Sequence, residues 1–212
     1  MEDSGVEDPS ASLVSDVSAS HQIEVMISER RIQKRVGELG AAIGRDYPNP
    51  AEPLLLVGVL KGAALFLADL IRCISRPVEF DFVAISSYGA ATHTSGDVRI
   101  LKDLDASVAG KHVIIVEDII DTGLTLRFSR LTQSLQARQA LSVEVCVLLD
   151  KPSRRRVDVP VKYRGFEIPD RFVIGYGMDY AEQYRGLRYV GVLTLDAENS
   201  AGGDRQNMET VL

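Results

Sequence analysis

Between Glu117 and Thr125 the chain reads Glu-Asp-Ile-Ile-Asp-Thr-Gly-Leu-Thr, a stretch that gathers three carboxylates, two hydroxyls and a glycine. This set suits a ligand that is both hydroxylated and phosphorylated. The main-chain N–H groups of Asp121, Thr122, Gly123, Leu124 and Thr125 can converge on a phosphate at the start of a helix, the threonine hydroxyls add donors, and Gly123 permits close backbone approach. Carboxylates repel a phosphate. Glu117 and Asp118 are better suited to sugar hydroxyls or to a magnesium ion coordinated with the sugar, and Asp121 to work as a base beside them.

Such a loop works only if a strand delivers it and a helix receives it. Val113-Ile114-Ile115-Val116 has the composition of a central parallel strand, and Leu124 to Arg138 reads as the following helix. Upstream, Ile32, Val36, Leu39 and Ile43 recur at a helical period, which predicts a packing helix over Glu24 to Ile43 with Ser28 as a cap and Gly44 closing it. Leu54 to Leu60 is expected to be a buried strand, Ala63 to Ile74 a helix, Val78 to Ser86 a strand, and Val143 to Leu149 another buried strand. Ala90 to Gly96 reads as a mobile lid, followed by Val98 to Ile100 and Leu101 to Leu104 as paired hairpin strands. The alternation over residues 54 to 150 predicts an α/β fold, a doubly wound and mainly parallel sheet with its ligand at the strand carboxyl ends. From Tyr163 onward the pattern changes to short β-like segments, Phe172 to Gly175 and Tyr189 to Leu193, expected to form a small hood over residues 163–195. Met1 to Ser20 is expected to be a disordered tail and residues 197–212 a flexible one, leaving 21–196 as the domain.

Acidic residues outnumber basic ones, 30 to 24, for a net charge of -6, which argues against the basic footprint that nucleic-acid binding leaves. An anionic ligand is then met locally, by Lys61, Lys102 and Lys151 near the candidate loops, while Arg154-Arg155-Arg156 reads as solvated surface. No apolar run approaches the roughly twenty residues of a membrane helix, and Met1 to Ser20 lacks the basic and apolar regions of a secretory signal, so a cytoplasmic protein without membrane contact is expected. Cys73 and Cys146 lie in apolar surroundings and are expected to be buried free thiols, with no cysteine cluster for zinc.

The run Glu117 to Gly123 closely resembles the phosphoribosyl pyrophosphate signature of type I phosphoribosyltransferases, in particular the hypoxanthine-guanine branch that serves purine salvage. Separate motifs over about residues 24 to 195 agree in order and spacing. Gly58 to Gly62 resembles the family's pyrophosphate loop, which implies a non-proline cis peptide between Leu60 and Lys61, with Lys61 and Gly62 at the pyrophosphate. Ser86 to Gly89, continuing through Thr94 to Val98, resembles the loop that closes over the reacting centre, where Ser87 and Tyr88 would meet the pyrophosphate; His93 is given no catalytic role. Lys151 matches the lysine for the purine 6-oxo group. Gly165 to Tyr180 resembles the base-binding hood, in which Phe172 would stack on the purine, the Val173 carbonyl would accept from it, and Asp179 would help hold magnesium. Arg185 matches a pyrophosphate-binding arginine. Arg171 stands at the base edge where many relatives carry lysine, and Leu124 stands where animal relatives carry lysine and bacterial ones commonly leucine.

The resemblance implies magnesium-dependent transfer of 5-phosphoribosyl from phosphoribosyl pyrophosphate to hypoxanthine or guanine, giving IMP or GMP and pyrophosphate. Asp121 would be the base, Glu117 and Asp118 would hold ribose and metal, and Thr122, Gly123, Leu124 and Thr125 the phosphate. A homodimer or homotetramer with contacts near the pyrophosphate loop is also implied. Two alternatives stay open: a regulatory protein that binds phosphoribosyl pyrophosphate as an effector, and an enzyme that prefers xanthine.

Overall fold

The aliphatic runs of the sequence become the centre of a six-stranded sheet in a computed structural model, which describes residues 21–87, 98–121, 124–154 and 160–195. In chain order the elements are β1 (His21–Ile27), α1 (Glu29–Asp46), β2 (Leu54–Leu60), α2 (Ala64–Arg72), β3 (Glu79–Ser87), β4 (Val98–Lys102), β5 (His112–Ile120), α3 (Leu124–Ala137), β6 (Ser142–Asp150), β7 (Tyr163–Glu167), β8 (Val173–Ile174) and β9 (Val190–Leu195). The main sheet runs β4-β3-β2-β5-β6-β7, parallel throughout except for β4, which lies antiparallel on the β3 edge.

Alternation along the strands decides the layers. Leu54, Leu56, Ile114, Val116, Cys146 and Leu148 join a core with Ile32, Val36, Leu39 and Ile43 of α1 and Phe66, Leu67 and Leu70 of α2. Leu55, Val57, Val59, Val113, Ile115, Val145 and Val147 face the other way, onto Leu131 and Leu135 of α3. Strands buried on both faces need no polar side, which is why their sequences read as unbroken apolar runs. From β2 the chain turns outward to β3, then returns to lay β5 on the opposite flank of β2. That reversal puts a crevice between the carboxyl ends of β2 and β5, the place where open α/β sheets take their ligands.

Three sequence expectations change. Glu24 to Ile27 is not helical: it belongs to β1, which pairs antiparallel with β9 at the other end of the chain, and α1 begins only at Glu29. Val98 to Leu104 is not a hairpin: Val98–Lys102 is one strand, β4, closing the β3 edge, where the sheet offers unpaired backbone groups, and Asp103 and Leu104 lie beyond it. Tyr163–Glu167 pairs with β6 in the main sheet, so the second sheet, β1-β9-β8, starts later than residue 163 and borrows its outer strand from the N-terminal part of the described chain. Cys146 is buried and Cys73 half-buried, both free thiols. No helix among the described residues is long and apolar enough to cross a membrane. The expected lid over 90–96, with His93, and most of the Arg154-Arg155-Arg156 run lie outside the described residues.

Candidate active site

At the end of β2 the Leu60–Lys61 peptide is cis, as the family resemblance implied. The next residue, Gly62, is where three parts of the molecule meet. A Cβ on Gly62 would lie 1.8 Å from Asp118 Oδ2, and a Cβ on Gly177 would lie 2.0 Å from the Gly62 carbonyl oxygen. Only glycines allow the ends of β2 and β5 and the hood turn to approach this closely.

Around this contact sits a set of charged groups. Lys61 Nζ reaches Glu182 Oε2 at 2.9 Å, and Arg185 Nη2 reaches Asp179 Oδ1 at 2.7 Å and Glu182 Oε2 at 3.4 Å. Arg185 Nη1 donates to the Gly177 carbonyl at 2.7 Å, while its Nε is buried with no hydrogen-bond partner among the described residues. A cationic group held this way keeps donors in reserve for an anion.

The two acids placed by sequence in a loop are instead part of β5, which runs on to Ile120. Glu117 is buried. Burial pushes the Asp118 carboxyl up to about 6, against the opposing pull of the Ile119 amide and the Arg185 charge. A cation arriving here would favour the ionised form. Hard oxygen donors of this kind suit a magnesium ion, and among the described residues no group of three or more His, Cys, Asp or Glu converges on one point. Magnesium commonly takes one or two carboxylates and fills its shell with phosphate oxygens and water.

β5 and β6 set the other half of the site. Ile120 pairs with Asp150, and the Lys151 amide donates to the Ile120 carbonyl at 3.1 Å, so Asp121 and Lys151 leave neighbouring strands side by side. Lys151 is only 4% exposed, and its Nζ lies 3.6 Å from Asp121 Oδ2 and 3.7 Å from Asp170 Oδ1. A buried ammonium between two carboxylates is compensated before any ligand arrives. In the hood Phe172 keeps 36% of its surface exposed, edge-on to Tyr180 at 5.8 Å, and Val173 behind it is buried. An aromatic left open on an otherwise packed element offers its face to a ligand. Arg171 turns toward Glu24 of β1, 3.9 Å away.

The structure thus brings together Lys61, Gly62, Asp118, Asp179 and Arg185 on one side and Asp121 with Lys151 on the other. Lys102 is not part of it: that lysine ties β4 to Asp81 at 3.1 Å and Asp105 at 3.2 Å. Leu124 and Thr125 open α3 as expected, Ser87 is the last residue of β3, one beyond the expected strand end, and Thr122, Gly123 and Tyr88 lie outside the described residues. Glu182 and Asp170, partners of the key cations, were missed in the sequence. They sit in irregular segments, Glu182 with a φ of 62°, where no periodic signal exists to find them.

A mainly parallel sheet whose strand order reverses at such a crevice, with a strand-end lysine–carboxylate pair beside a small hood, has the layout in which open α/β sheets bind their ligands. Residues 26–181 match the phosphoribosyl transferase domain model, and the chain belongs to that family, a class of glycosyl-transferring enzymes. Its branch is the hypoxanthine-guanine one. It is 50% identical over 177 residues to the hypoxanthine phosphoribosyltransferase of Haemophilus influenzae, covering 83% of this chain and 98% of that one. The hypoxanthine-guanine phosphoribosyltransferase of Bacillus subtilis is 52% identical over 174 residues, covering 82% and 94%. A crystal structure of the Staphylococcus aureus hypoxanthine phosphoribosyltransferase superposes with a TM-score of 0.74 at 47% identity, over 81% of this chain and 91% of the other.

Proposed function

We propose that the protein makes purine nucleotides by transferring 5-phosphoribosyl from phosphoribosyl pyrophosphate to hypoxanthine or guanine, with IMP or GMP and pyrophosphate as products. The observation that carries this reading is the Asp121–Lys151 pair at the ends of β5 and β6, 3.6 Å apart, with Phe172 exposed in the hood. An oxopurine presents a carbonyl acceptor and a ring N–H, and a fixed cation beside a carboxylate matches both.

In this reading the base stacks on Phe172, its 6-oxo group takes a hydrogen bond from Lys151, and the Val173 carbonyl and Arg171 meet its edge. Asp121 receives the proton from the imidazole-ring nitrogen as that nitrogen bonds to the ribose. The anomeric carbon passes through an oxocarbenium-like state. Glu117 and Asp118 hold the ribose hydroxyls, Thr122 to Thr125 the 5′-phosphate, and Lys61, the Gly62 backbone, Ser87, Tyr88 and Arg185 the departing pyrophosphate. Magnesium, for which one or two of Glu117, Asp118 and Asp179 would supply ligands, would neutralise charge on the pyrophosphate as it leaves.

The test is nucleotide formation from phosphoribosyl pyrophosphate and magnesium, with hypoxanthine, guanine, xanthine and adenine offered separately. Turnover of hypoxanthine or guanine is expected. Turnover of xanthine alone would change the substrate, and tight phosphoribosyl pyrophosphate binding with no turnover of any base would turn the reading to a regulatory protein.

A further inference from the structure

The hood turn Gly175-Tyr176-Gly177 passes through positive φ at every residue, 93°, 48° and 103°. Glycine does this freely; a tyrosine does so only where its surroundings hold it. The Tyr176 side chain is buried, and its hydroxyl donates to Asp69 Oδ2 at 2.6 Å, across to α2. Asp69 is fixed from two other directions, by Gln33 Nε2 of α1 at 2.9 Å and by Arg72 one turn along α2. One residue beyond Tyr176, Gly177 rests on the Gly62 carbonyl, donates its amide to the Arg185 carbonyl at 3.0 Å, and accepts Arg185 Nη1 at 2.7 Å. The turn therefore touches the β2–α2 segment twice, at Gly62 just before α2 and at Asp69 within it. Arg185 hangs from the same turn.

We propose that Tyr176 is a positioning residue, whose hydrogen bond to Asp69 locks the 175–177 turn onto α2 and thereby sets Arg185 against Lys61 and Gly62 at the spacing a pyrophosphate requires. This rests on the proposed role of those three residues. Hydrogen bonds to an ionised acceptor are among the stronger ones in proteins. Removing only the hydroxyl keeps the ring and its packing, and Asp69 keeps Gln33 and Arg72, so no buried charge is stranded. The expected result is a loosened turn in a folded protein.

The molecule supplies its own control. Tyr163 is equally buried and donates to Asp46 Oδ2 at 2.8 Å, the same chemistry at the amino end of β7, away from the strand carboxyl ends. The experiment compares Tyr176→Phe and Tyr163→Phe by kinetics with each substrate varied, by thermal melting, and by amide hydrogen exchange. Tyr176→Phe should raise KM for phosphoribosyl pyrophosphate roughly three- to tenfold while KM for hypoxanthine stays within about twofold. It should also speed exchange at Ala63, Ala64, Gly177 and Met178, whose amides are hydrogen-bonded around this contact. Asp69→Asn should reproduce the kinetic change, and the double variant should be no worse than either alone. Tyr163→Phe should lower the melting temperature and move neither readout. Wild-type kinetics and exchange in Tyr176→Phe, or the same shifts in Tyr163→Phe, would overturn the proposal. If wild-type protein turned over no purine, the functional reading would fall, and exchange would still decide whether Tyr176 locks the turn.

Discussion

The main sheet and the hood are held together by different physics. Every residue from Leu54 to Val59 of β2 is buried, and Val113 to Glu117 of β5 likewise, so those strands are placed by the apolar area they remove from water. The hood buries apolar residues too, Val173, Ile174, Tyr176, Met178, Val190 and Val192 among them, but its turns take their shape from hydrogen bonds. β8 is two residues long, and between Gly175 and Arg185 the backbone turns on positive φ at Gly175, Tyr176, Gly177, Ala181, Glu182 and Tyr184, held by bonds of Asp179, Glu182 and Arg185. Burial is tolerant of which apolar residue supplies it, whereas a hydrogen-bonded turn is not. Stability should therefore reside mainly in the sheet, and ligand geometry in the hydrogen-bonded turns of the hood.

Substitutions can break or sharpen this division. The largest effect is expected from Asp121→Asn, which keeps the shape of the strand end and should lower kcat by about 10²- to 10⁴-fold in a folded protein, with a lower melting temperature because buried Lys151 loses one of its two carboxylates. Wild-type turnover in that variant would remove Asp121 from the chemistry. Ile115→Ala empties part of a fully buried position and should cost about 3 kcal/mol in a urea titration, with KM values of the folded protein unaltered. In the hood, Gly177→Ala forces a Cβ against the Gly62 carbonyl at a φ of 103°. Backbone strain alone should cost about 1–3 kcal/mol, and, unlike the sheet variant, Gly177→Ala should raise KM for phosphoribosyl pyrophosphate. A Gly177→Ala protein that lost stability without a change in KM would erase the distinction.

The smallest effect belongs to the far edge of the sheet. Burial pushes the Asp81 carboxyl up, but the Asp105 and Phe82 amides and the Lys102 ammonium outweigh it and hold the group below its ordinary value of 3.8. Because the folded form binds the proton less well than the unfolded chain, the stabilisation is fully present above that value and is lost as pH falls through the lower folded one. Asp81→Asn should thus be less stable than wild type at pH 7 and at pH 5, and the gap should close below about pH 4. A gap that persists there would mean the carboxylate's charge is not what matters.

What could be read from the sequence follows the same division. β2, β5, β6, α2 and α3 were legible because period and apolar run length report burial directly. β1 was not. Its alternation, Gln22-Ile23-Glu24-Val25, is a strand pattern, but its partner β9 lies at the opposite end of the chain, and the strong helical period beginning at Ile32 was extended back over it. The roles proposed for Asp121, Lys151 and Phe172 rest mainly on family resemblance, because spacing alone does not say that β5 and β6 are neighbours. Glu182, Asp170 and the Tyr176–Asp69 bond left no trace in the sequence, since turn geometry at positive φ has no period and long-range hydrogen bonds have no spacing.

The β5–β6 ladder carries one more implication. Ile120 faces Asp150 in register, so the separation between Asp121 and Lys151 is fixed by backbone pairing and not by either flanking loop. Two strands act as a caliper whose jaws are the side chains just past the last rung. A change confined to a loop or to the hood would leave that gap as the ladder sets it. Inserting one residue ahead of Asp121 would do what no loop graft does, advancing its backbone by about 3.3 Å and turning its carboxylate to the other face of the sheet.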